Sequence, residues 1–303
     1  MKIGLLDIDG YYKFPNYALM KICAYEKSLG NFPEWINYFE HYDRVYISKI
    51  FSFSNNQTTA INSDCIIKGG TGFDHSTKLP QHIDDCEPDY SLYPKYKHSL
   101  GFLTRGCIRH CTWCVVPQKE GKIQPYRDIE TILQDRKSAI LMDNNVLAAD
   151  YGLQQIEKII DLGCKIDFNQ GLDARLVTKE IAQMLTKVKW LDYIRFACDT
   201  SEMLPCIDTV AHRLKAYGFN HKNIFVYALI NNDLKESYKR LKALKEIGVT
   251  PFAQPFIDFS EKKKTPQWQL DLARWCNRKA IFKSVDFMDY QPRIGFKCKK
   301  YFE

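Results

Sequence analysis

The chain has 303 residues, of which 45% are hydrophobic and 26% charged, and its net charge is +7. This composition is ordinary for a globular protein of one or two domains. No apolar run approaches the roughly 18 residues of a membrane span and no basic, apolar leader opens the chain, so we expect a cytoplasmic protein with no membrane partner. The 11 cysteines are an odd number spread along the chain, which favours reduced thiols over a disulfide framework.

The first part of the chain predicts a small open parallel sheet. Apolar runs bounded by Asp or Gly are typical of buried strands. Asn16 has the position of an N-cap for a helix that ends before Gly30. The predicted strands cover residues 2–10, 44–53 and 64–72, and the predicted helix covers residues 17–29. Residues 79–98, rich in proline and polar side chains, are the predicted linker that follows this domain of residues 1–78.

Strands and helices alternate from residue 99 to residue 260, a pattern that predicts a parallel sheet with helices outside it. The predicted strands are 100–105, 139–142, 165–169, 193–198, 224–230 and 251–257. The predicted helices are 129–136, 153–162, 178–188, 207–217 and 234–247. Residues 261–303 predict a helix with Trp268 and Trp275 on one face, more typical of a core than of a base-stacking surface, and then a basic tail.

Three cysteines follow the first of these strands at C-x3-C-x2-C spacing, namely Cys107, Cys111 and Cys114. A structural zinc site takes four ligands, and a simple ferredoxin cluster takes four cysteines. Three thiolates from one loop instead leave one iron of a four-iron cluster open to a small molecule. A zinc site completed by His110 or by a distant cysteine is the alternative.

This spacing, with the aromatic Trp113 just before the last cysteine, resembles the signature of the radical S-adenosylmethionine (SAM) superfamily. The resemblance implies a [4Fe-4S] cluster bound by Cys107, Cys111 and Cys114, with SAM on the open iron. It also implies reductive cleavage of SAM to methionine and a 5'-deoxyadenosyl radical, fed by an external donor of the flavodoxin or ferredoxin type. The fold implied is α/β: a small Rossmann-like open parallel sheet, then a partial (β/α)6 TIM-like radical SAM barrel over residues 99–260.

The amino-terminal region resembles the cobalamin-binding Rossmann domain that precedes the barrel in many radical SAM enzymes. Residues 69–72, Gly-Gly-Thr-Gly, stand where such domains place a glycine pair near a flat ligand. The Asp-x-His-x-x-Gly pattern that supplies the axial histidine to cobalt is missing. Cobalamin is therefore one candidate cofactor, and a domain whose glycines only form a turn is the alternative.

In barrels of this kind, function gathers at the carboxyl ends of the strands. The resemblance suggests that SAM contacts lie there, with Trp113 beside the cluster. The candidate cofactor-binding residues are Trp113, Asp143, Asn144, Gln170, Asp173, Arg175, Asp199, Ser201 and Asn231. The alternatives are loop capping by Asp143 and Asn144, a surface ion pair between Asp173 and Arg175, and helix capping around Asn231. Arg195 is expected to point into the barrel, and Gln254 and Asp258 are candidates for the substrate side.

The charge is uneven along the chain and suggests a class of substrate. Residues 1–98 hold ten Lys and Arg against twelve Asp and Glu, whereas the remainder holds 33 against 24. A basic second part favours nucleic acid or a nucleotide as the substrate, and solubility alone is the simpler explanation. The domain order resembles that of the methylthiotransferases and the B12-dependent radical SAM groups. The alternative functions are methyl transfer to a peptide or small metabolite and a non-catalytic Fe-S module. An auxiliary cluster on Cys206, Cys276 and Cys298 is a weaker hypothesis than the cluster on the three motif cysteines.

Overall fold

The computed structural model describes residues 1–10, 14–55, 61–257 and 264–303, so Asp258 lies outside the described residues. The strands are β1 (Lys2–Asp7), β2 (Phe32–Trp35), β3 (His41–Tyr42), β4 (Arg44–Ser48), β5 (Asn62–Ser63), β6 (Ile66–Gly69), β7 (Ser99–Gly101), β8 (Thr104–Arg105), β9 (Gln124–Pro125), β10 (Ser138–Leu141), β11 (Lys165–Phe168), β12 (Lys189–Trp190), β13 (Ile194–Ala197), β14 (Ile224–Ile230) and β15 (Thr250–Pro255). The helices are α1 (Tyr17–Ser28), α2 (Gln81–Asp84), α3 (Val116–Lys119), α4 (Ile129–Leu133), α5 (Asp150–Leu162), α6 (Lys179–Lys187), α7 (Leu204–Ala216), α8 (Leu234–Ile247), α9 (Gln267–Asn277) and α10 (Lys279–Ser284). Within the described ranges, no helix has the length and apolar character needed to cross a membrane.

The chain divides into two compact units. The first comprises Met1–Gly101, Arg109–Gly121 and Glu130–Arg136, and the second comprises Phe102–Ile108, Lys122–Ile129 and Lys137–Glu303. The predicted linker, residues 79–98, belongs to the first unit, where it packs on α1. Lys27 donates to Asp89 over 2.6 Å, and the buried Lys21 donates to Asp84 over 2.8 Å.

The first unit contains a four-stranded sheet in the order β2-β1-β4-β6, in which every neighbouring pair is parallel. Its core places Ile3 and Leu5 of β1 against Leu19 and Cys23 of α1. The prediction of a parallel α/β sheet is confirmed. The sequence missed β2 because its four residues, Phe-Pro-Glu-Trp, are largely exposed at the sheet edge and show no buried run.

Helix α1 begins where local sequence predicts. The Asn16 side chain accepts a hydrogen bond from the backbone N–H of Leu19 over 3.2 Å, which satisfies one of the donors that a helix leaves at its first turn. The helix ends at Ser28, and Gly30 has a φ of 76°, the left-handed conformation that glycine adopts without strain.

The second unit contains two sets of parallel strands. Strand β11 pairs in parallel with β10 and β12, and β14 pairs in parallel with β13 and β15. A parallel bridge joins Leu172 to Phe196. Strand β14 and helix α8 have the predicted bounds, and the other strands after residue 137 that were predicted differ at their ends by one or two residues. The mixed α/β class is thus confirmed, and closure into a partial barrel stays a prediction.

Burial alternates along β14 and gives its sheet two different faces. Alternate residues from Ile224 to Ile230 are buried, whereas those between them, including Phe225 and Tyr227, are half-buried. Helix α9 brings Trp275 into the core at 1% exposure, and its indole N–H donates to the carbonyl of Val285 over 2.9 Å. Trp275 therefore has the structural role expected for a residue of an apolar helix face.

Candidate functional site

The polypeptide enters the cysteine loop from a short antiparallel hairpin of the second unit. Thr104 and Arg105 of β8 pair with Pro125 and Gln124 of β9. The Arg105 guanidinium lies 4.0 Å from the centroid of the Phe102 ring, a distance at which a cation and an aromatic face attract each other. Gly106 then takes a φ of 86°, so the turn into the loop needs a residue without a side chain.

The three motif cysteines are all thiols, with none in a disulfide. Cys107, in the second unit, is half-buried; in the first unit, Cys111 is half-buried and Cys114 exposed. Trp113 is 38% exposed. Across the described part of the chain, no three His, Cys, Asp or Glu side chains are already arranged around a metal-sized site. Accessible thiols on one loop nevertheless have the donor chemistry that an iron-sulfur cluster requires.

The thiols of the predicted auxiliary cluster differ from these three. Burial raises the pKa of Cys276 and of Cys298 to about 12. Both thiols are buried, whereas Cys206 is half-buried. The auxiliary cluster on these three thiols stays a prediction.

Asp143 is the anchor of the strand that leads into the cysteine loop. Its carboxylate accepts the backbone N–H of Leu103 over 3.1 Å, the backbone N–H of Thr104 over 2.6 Å and the Thr104 hydroxyl over 2.8 Å. Burial raises its pKa to about 6, although the hydrogen bonds from Leu103 and Thr104 act in the opposite direction. With these contacts Asp143 caps the loop, which is the alternative that the sequence left open for it. Contact between Asp143 and SAM stays a prediction.

Asn145 is a residue that the sequence analysis missed, although it directly follows the candidates Asp143 and Asn144. It is 3% exposed, and its side-chain Nδ2 donates to Cys107 Sγ over 3.5 Å. Its Oδ1 is buried without a hydrogen-bond partner among the described residues. The predicted neighbour, Asn144, is half-buried. The structure thus brings an amide of this tract to the first cysteine of the motif.

After β11, Asp173 and Arg175 form an ion pair with each other. The guanidinium donates from Nε to Oδ1 over 2.6 Å and from its terminal nitrogen to Oδ2 over 3.0 Å. The carboxylate also accepts the backbone N–H of Arg175 over 3.1 Å. Arg175 is exposed, as is Gln170. This is the pair that the sequence left as an alternative to SAM or substrate binding.

Asp199, Ser201 and Asn231 all lie at the carboxyl ends of β13 and β14. Ser201 donates to Glu236 over 2.6 Å and Asn231 donates to the same carboxylate over 3.3 Å. Asp199 accepts the backbone N–H of Leu229 over 3.1 Å. Glu236 was not predicted as part of this region, although its spacing of four residues from Arg240 on α8 is a recognisable helical ion pair.

Arg240 completes this network from a position that is 1% exposed. Its guanidinium donates to Glu236 over 2.8 Å and to the backbone carbonyls of Cys198 and Leu229, each over 2.6 Å. A rigid five-donor guanidinium is suited to such a fixed set of acceptors. The arrangement braces the ends of β13 and β14 next to the predicted residues.

Arg195 forms a second bidentate pair, with Asp167 of β11, at 2.7 and 2.8 Å. Its guanidinium also lies 5.0 Å from the Phe225 ring centroid. Asp167 was missed because a single acid within an apolar strand gives no spacing signal. Gln254, predicted for the substrate side, is exposed.

The glycines of residues 69–72 pack against their own chain. A Cβ on Gly70, whose φ is 103°, would lie 2.2 Å from the carbonyl oxygen of Lys49, and one on Gly72 would lie 2.8 Å from that of Phe51. Lys119 donates to the hydroxyl of Thr71 in the same unit. The positions that a Cβ of Gly70 or Gly72 would take are filled by residues 49–51, as expected if these glycines only form a turn; cobalamin binding stays a prediction.

Comparison of the chain with family models, with curated proteins and with solved structures finds no match. The interpretation of the site consequently depends on its residues, their spacing and their contacts.

Proposed function

We propose that the chain is a radical SAM enzyme that binds a [4Fe-4S] cluster through Cys107, Cys111 and Cys114. The single observation on which this depends is the C-x3-C-x2-C spacing with Trp113 before the last cysteine. The three residues are thiols with access to solvent, which supports the proposal. The partial (β/α)6 barrel over residues 99–260 and a cytoplasmic location belong to the same proposal.

In this proposal the chain's own residues position the reacting groups. Cys107, Cys111 and Cys114 would hold the cluster as thiolates, and SAM would bind at its open iron. When bound and reduced, the cluster supplies the electron that cleaves SAM to methionine and a 5'-deoxyadenosyl radical. Asp143 holds Leu103 and Thr104 in place and so fixes the entry to the loop. Polar side chains at the strand ends, including Ser201 and Asn231, are the proposed SAM contacts.

An external one-electron donor of the flavodoxin or ferredoxin type and a nucleic-acid or nucleotide substrate complete the proposal. The substrate class is supported by the excess of 33 basic over 24 acidic residues after residue 98. Phosphate binding through such an excess weakens steeply as salt rises.

The test is anaerobic reconstitution with iron and sulfide, followed by SAM and dithionite, with 5'-deoxyadenosine measured by chromatography. We expect the wild type to form 5'-deoxyadenosine and Cys111→Ala to form none, because two thiolates cannot hold the cluster. Cys65→Ala is the matched control, since Cys65 is an exposed thiol outside the motif and its loss should leave the yield unchanged.

Two results would contradict the proposal in different ways. Binding of zinc in place of a cluster by the wild type would refute the iron-sulfur assignment. A wild-type cluster that binds SAM without cleaving it, also with RNA, DNA and nucleotides added, would favour a non-catalytic Fe-S module.

A further inference from the structure

Asn145 is a buried amide that the structure brings to a motif cysteine, Cys107. Its Nδ2 lies 3.5 Å from Cys107 Sγ, a normal length for an N–H donor to sulfur, and both residues belong to the second unit. Asn145 is 3% exposed and Cys107 is half-buried, so the contact is shielded from water on the side of the amide. A hydrogen bond to a thiolate in such surroundings is stronger than in water.

The backbone holds Asn145 in place. Its carbonyl accepts the N–H of Ala148 over 3.0 Å, at the start of a short 3-10 turn from Val146 to Ala148. Gly152 of α5 packs against that turn so closely that a Cβ there would lie 2.1 Å from the carbonyl oxygen of Val146. The amide is therefore presented by a turn that has little freedom to move.

The orientation of the Asn145 amide is decided by the sulfur and not by the amide oxygen. Its Oδ1 is buried without a partner among the described residues, which costs about 1–3 kcal/mol for a group of this kind. Rotating the amide would place that oxygen against the sulfur instead, so that two acceptors would face each other. A thiolate at Cys107 thus selects the orientation with Nδ2 on the sulfur.

We infer that Asn145 is a positioning residue that orients Cys107 and raises the reduction potential of the cluster. This inference depends on the proposed [4Fe-4S] cluster. One-electron reduction adds negative charge that is shared by the sulfurs, so an N–H donor stabilises the reduced form more than the oxidised form. Asn145 thereby makes the cluster easier to reduce by a donor of fixed potential.

The experiment uses the full chain, reconstituted with iron and sulfide, in a mediator titration with dithionite as reductant. The signal of the reduced cluster is followed by electron paramagnetic resonance. Asn145→Leu removes the donor at similar volume, and Asn145→Asp removes it and adds negative charge. At a fixed potential we expect the ratio of reduced to oxidised cluster to fall about tenfold in Asn145→Leu, equal to about 59 mV for a one-electron couple. In Asn145→Asp it should fall further.

Gln155→Leu is the control because it also removes a buried amide of the second unit. Gln155 bonds the backbone N–H of Ile129 and the carboxylate of Asp128, not a sulfur. Its loss should leave the midpoint potential unchanged.

A wild-type measurement tests the contact without any substitution. With asparagine labelled by ¹⁵N in the side-chain amide, pulsed electron paramagnetic resonance of the reduced cluster should detect coupling to that nitrogen. Absence of the coupling, or variants with the wild-type potential, would overturn the inference while the cluster itself stands. If the wild type assembles no cluster, it is the proposed function that has failed.

Discussion

Replacing Arg240 by Met should strongly destabilise the protein, because the guanidinium joins α8 to the ends of two strands. It is 1% exposed and donates to Glu236 and to the carbonyls of Cys198 and Leu229. Methionine can fill much of the volume but supplies no donor. The substitution leaves one carboxylate and two carbonyl oxygens with fewer donors in a mostly buried location.

The size of the loss follows from those partners. Breaking a buried ion pair by removing one member costs about 3–5 kcal/mol, since the remaining charge is left uncompensated. The Glu236 side chain is 24% exposed, so water compensates part of its charge. Each of the two carbonyls loses one donor, which adds part of the roughly 1–3 kcal/mol that an unsatisfied buried group costs. Together these give an expected loss of about 4 kcal/mol.

The assay is urea unfolding followed by circular dichroism at neutral pH. In a double-mutant cycle, Arg240→Met should lower the free energy of unfolding by about 2 kcal/mol less when Glu236→Gln is already present. The glutamine carries no charge that the loss of Arg240 could leave unpaired. Lys158→Met is the control: its pair with Asp128 has side chains 34% and 36% exposed, so its loss should cost less than about 1 kcal/mol. If Arg240→Met lowered the free energy of unfolding by less than about 1 kcal/mol, or showed no coupling to Glu236, the network would not stabilise the ends of the two strands.

Asp143→Asn should flatten the pH dependence of stability between about pH 4 and 6. Burial raises the pKa of Asp143 from 3.8 to about 6, so the folded protein binds this proton more tightly than the unfolded chain does. The stability that this provides is complete below pH 3.8 and is lost as pH rises through 6. Urea unfolding at pH 4 and 7 measures this, and equal wild-type and variant slopes would contradict it. Gly70→Ala should lower the free energy of unfolding by more than about 2 kcal/mol, because its φ is 103° and the new Cβ would meet the carbonyl of Lys49. Gly30→Ala, with positive φ but nothing within 4 Å, should cost about 1 kcal/mol by the same assay; equal losses would exclude a steric cause.

Local sequence predicted the elements whose signals lie within a few residues of each other. Helix α8 is bounded by Asp233, whose side chain accepts the N–H of Glu236, and by Gly248 with a φ of 88°. Strand β14 alternates buried and half-buried residues along its whole length. Short strands such as β2 and β12 lacked such signals. A run of two to four residues at a sheet edge becomes a strand because a neighbouring strand pairs with it, and it is too short to show a pattern of its own.

The candidate site divides in the same way. The spacing of the cysteines is a property of the chain itself, because three thiols within eight residues stay near one another in any fold that keeps the loop. Which groups surround them is not such a property. The sequence left Asp143 and Asn144 as SAM contacts or as loop caps. The structure shows Asp143 bonded to the backbone of residues 103–104 and brings Asn145 to Cys107.

The sequence by itself thus determined the α/β class, the order of its main elements and the three-cysteine motif, all of which depend on periodicity, capping and short spacing. Tertiary structure alone decided that Asn145 meets Cys107, 38 residues earlier in the chain, and that Arg240 meets the carbonyl of Cys198, 42 residues earlier. The physical reason is that such contacts are set by strand register and by the packing of helices on sheets. Neither leaves a local signal in the residues that finally touch.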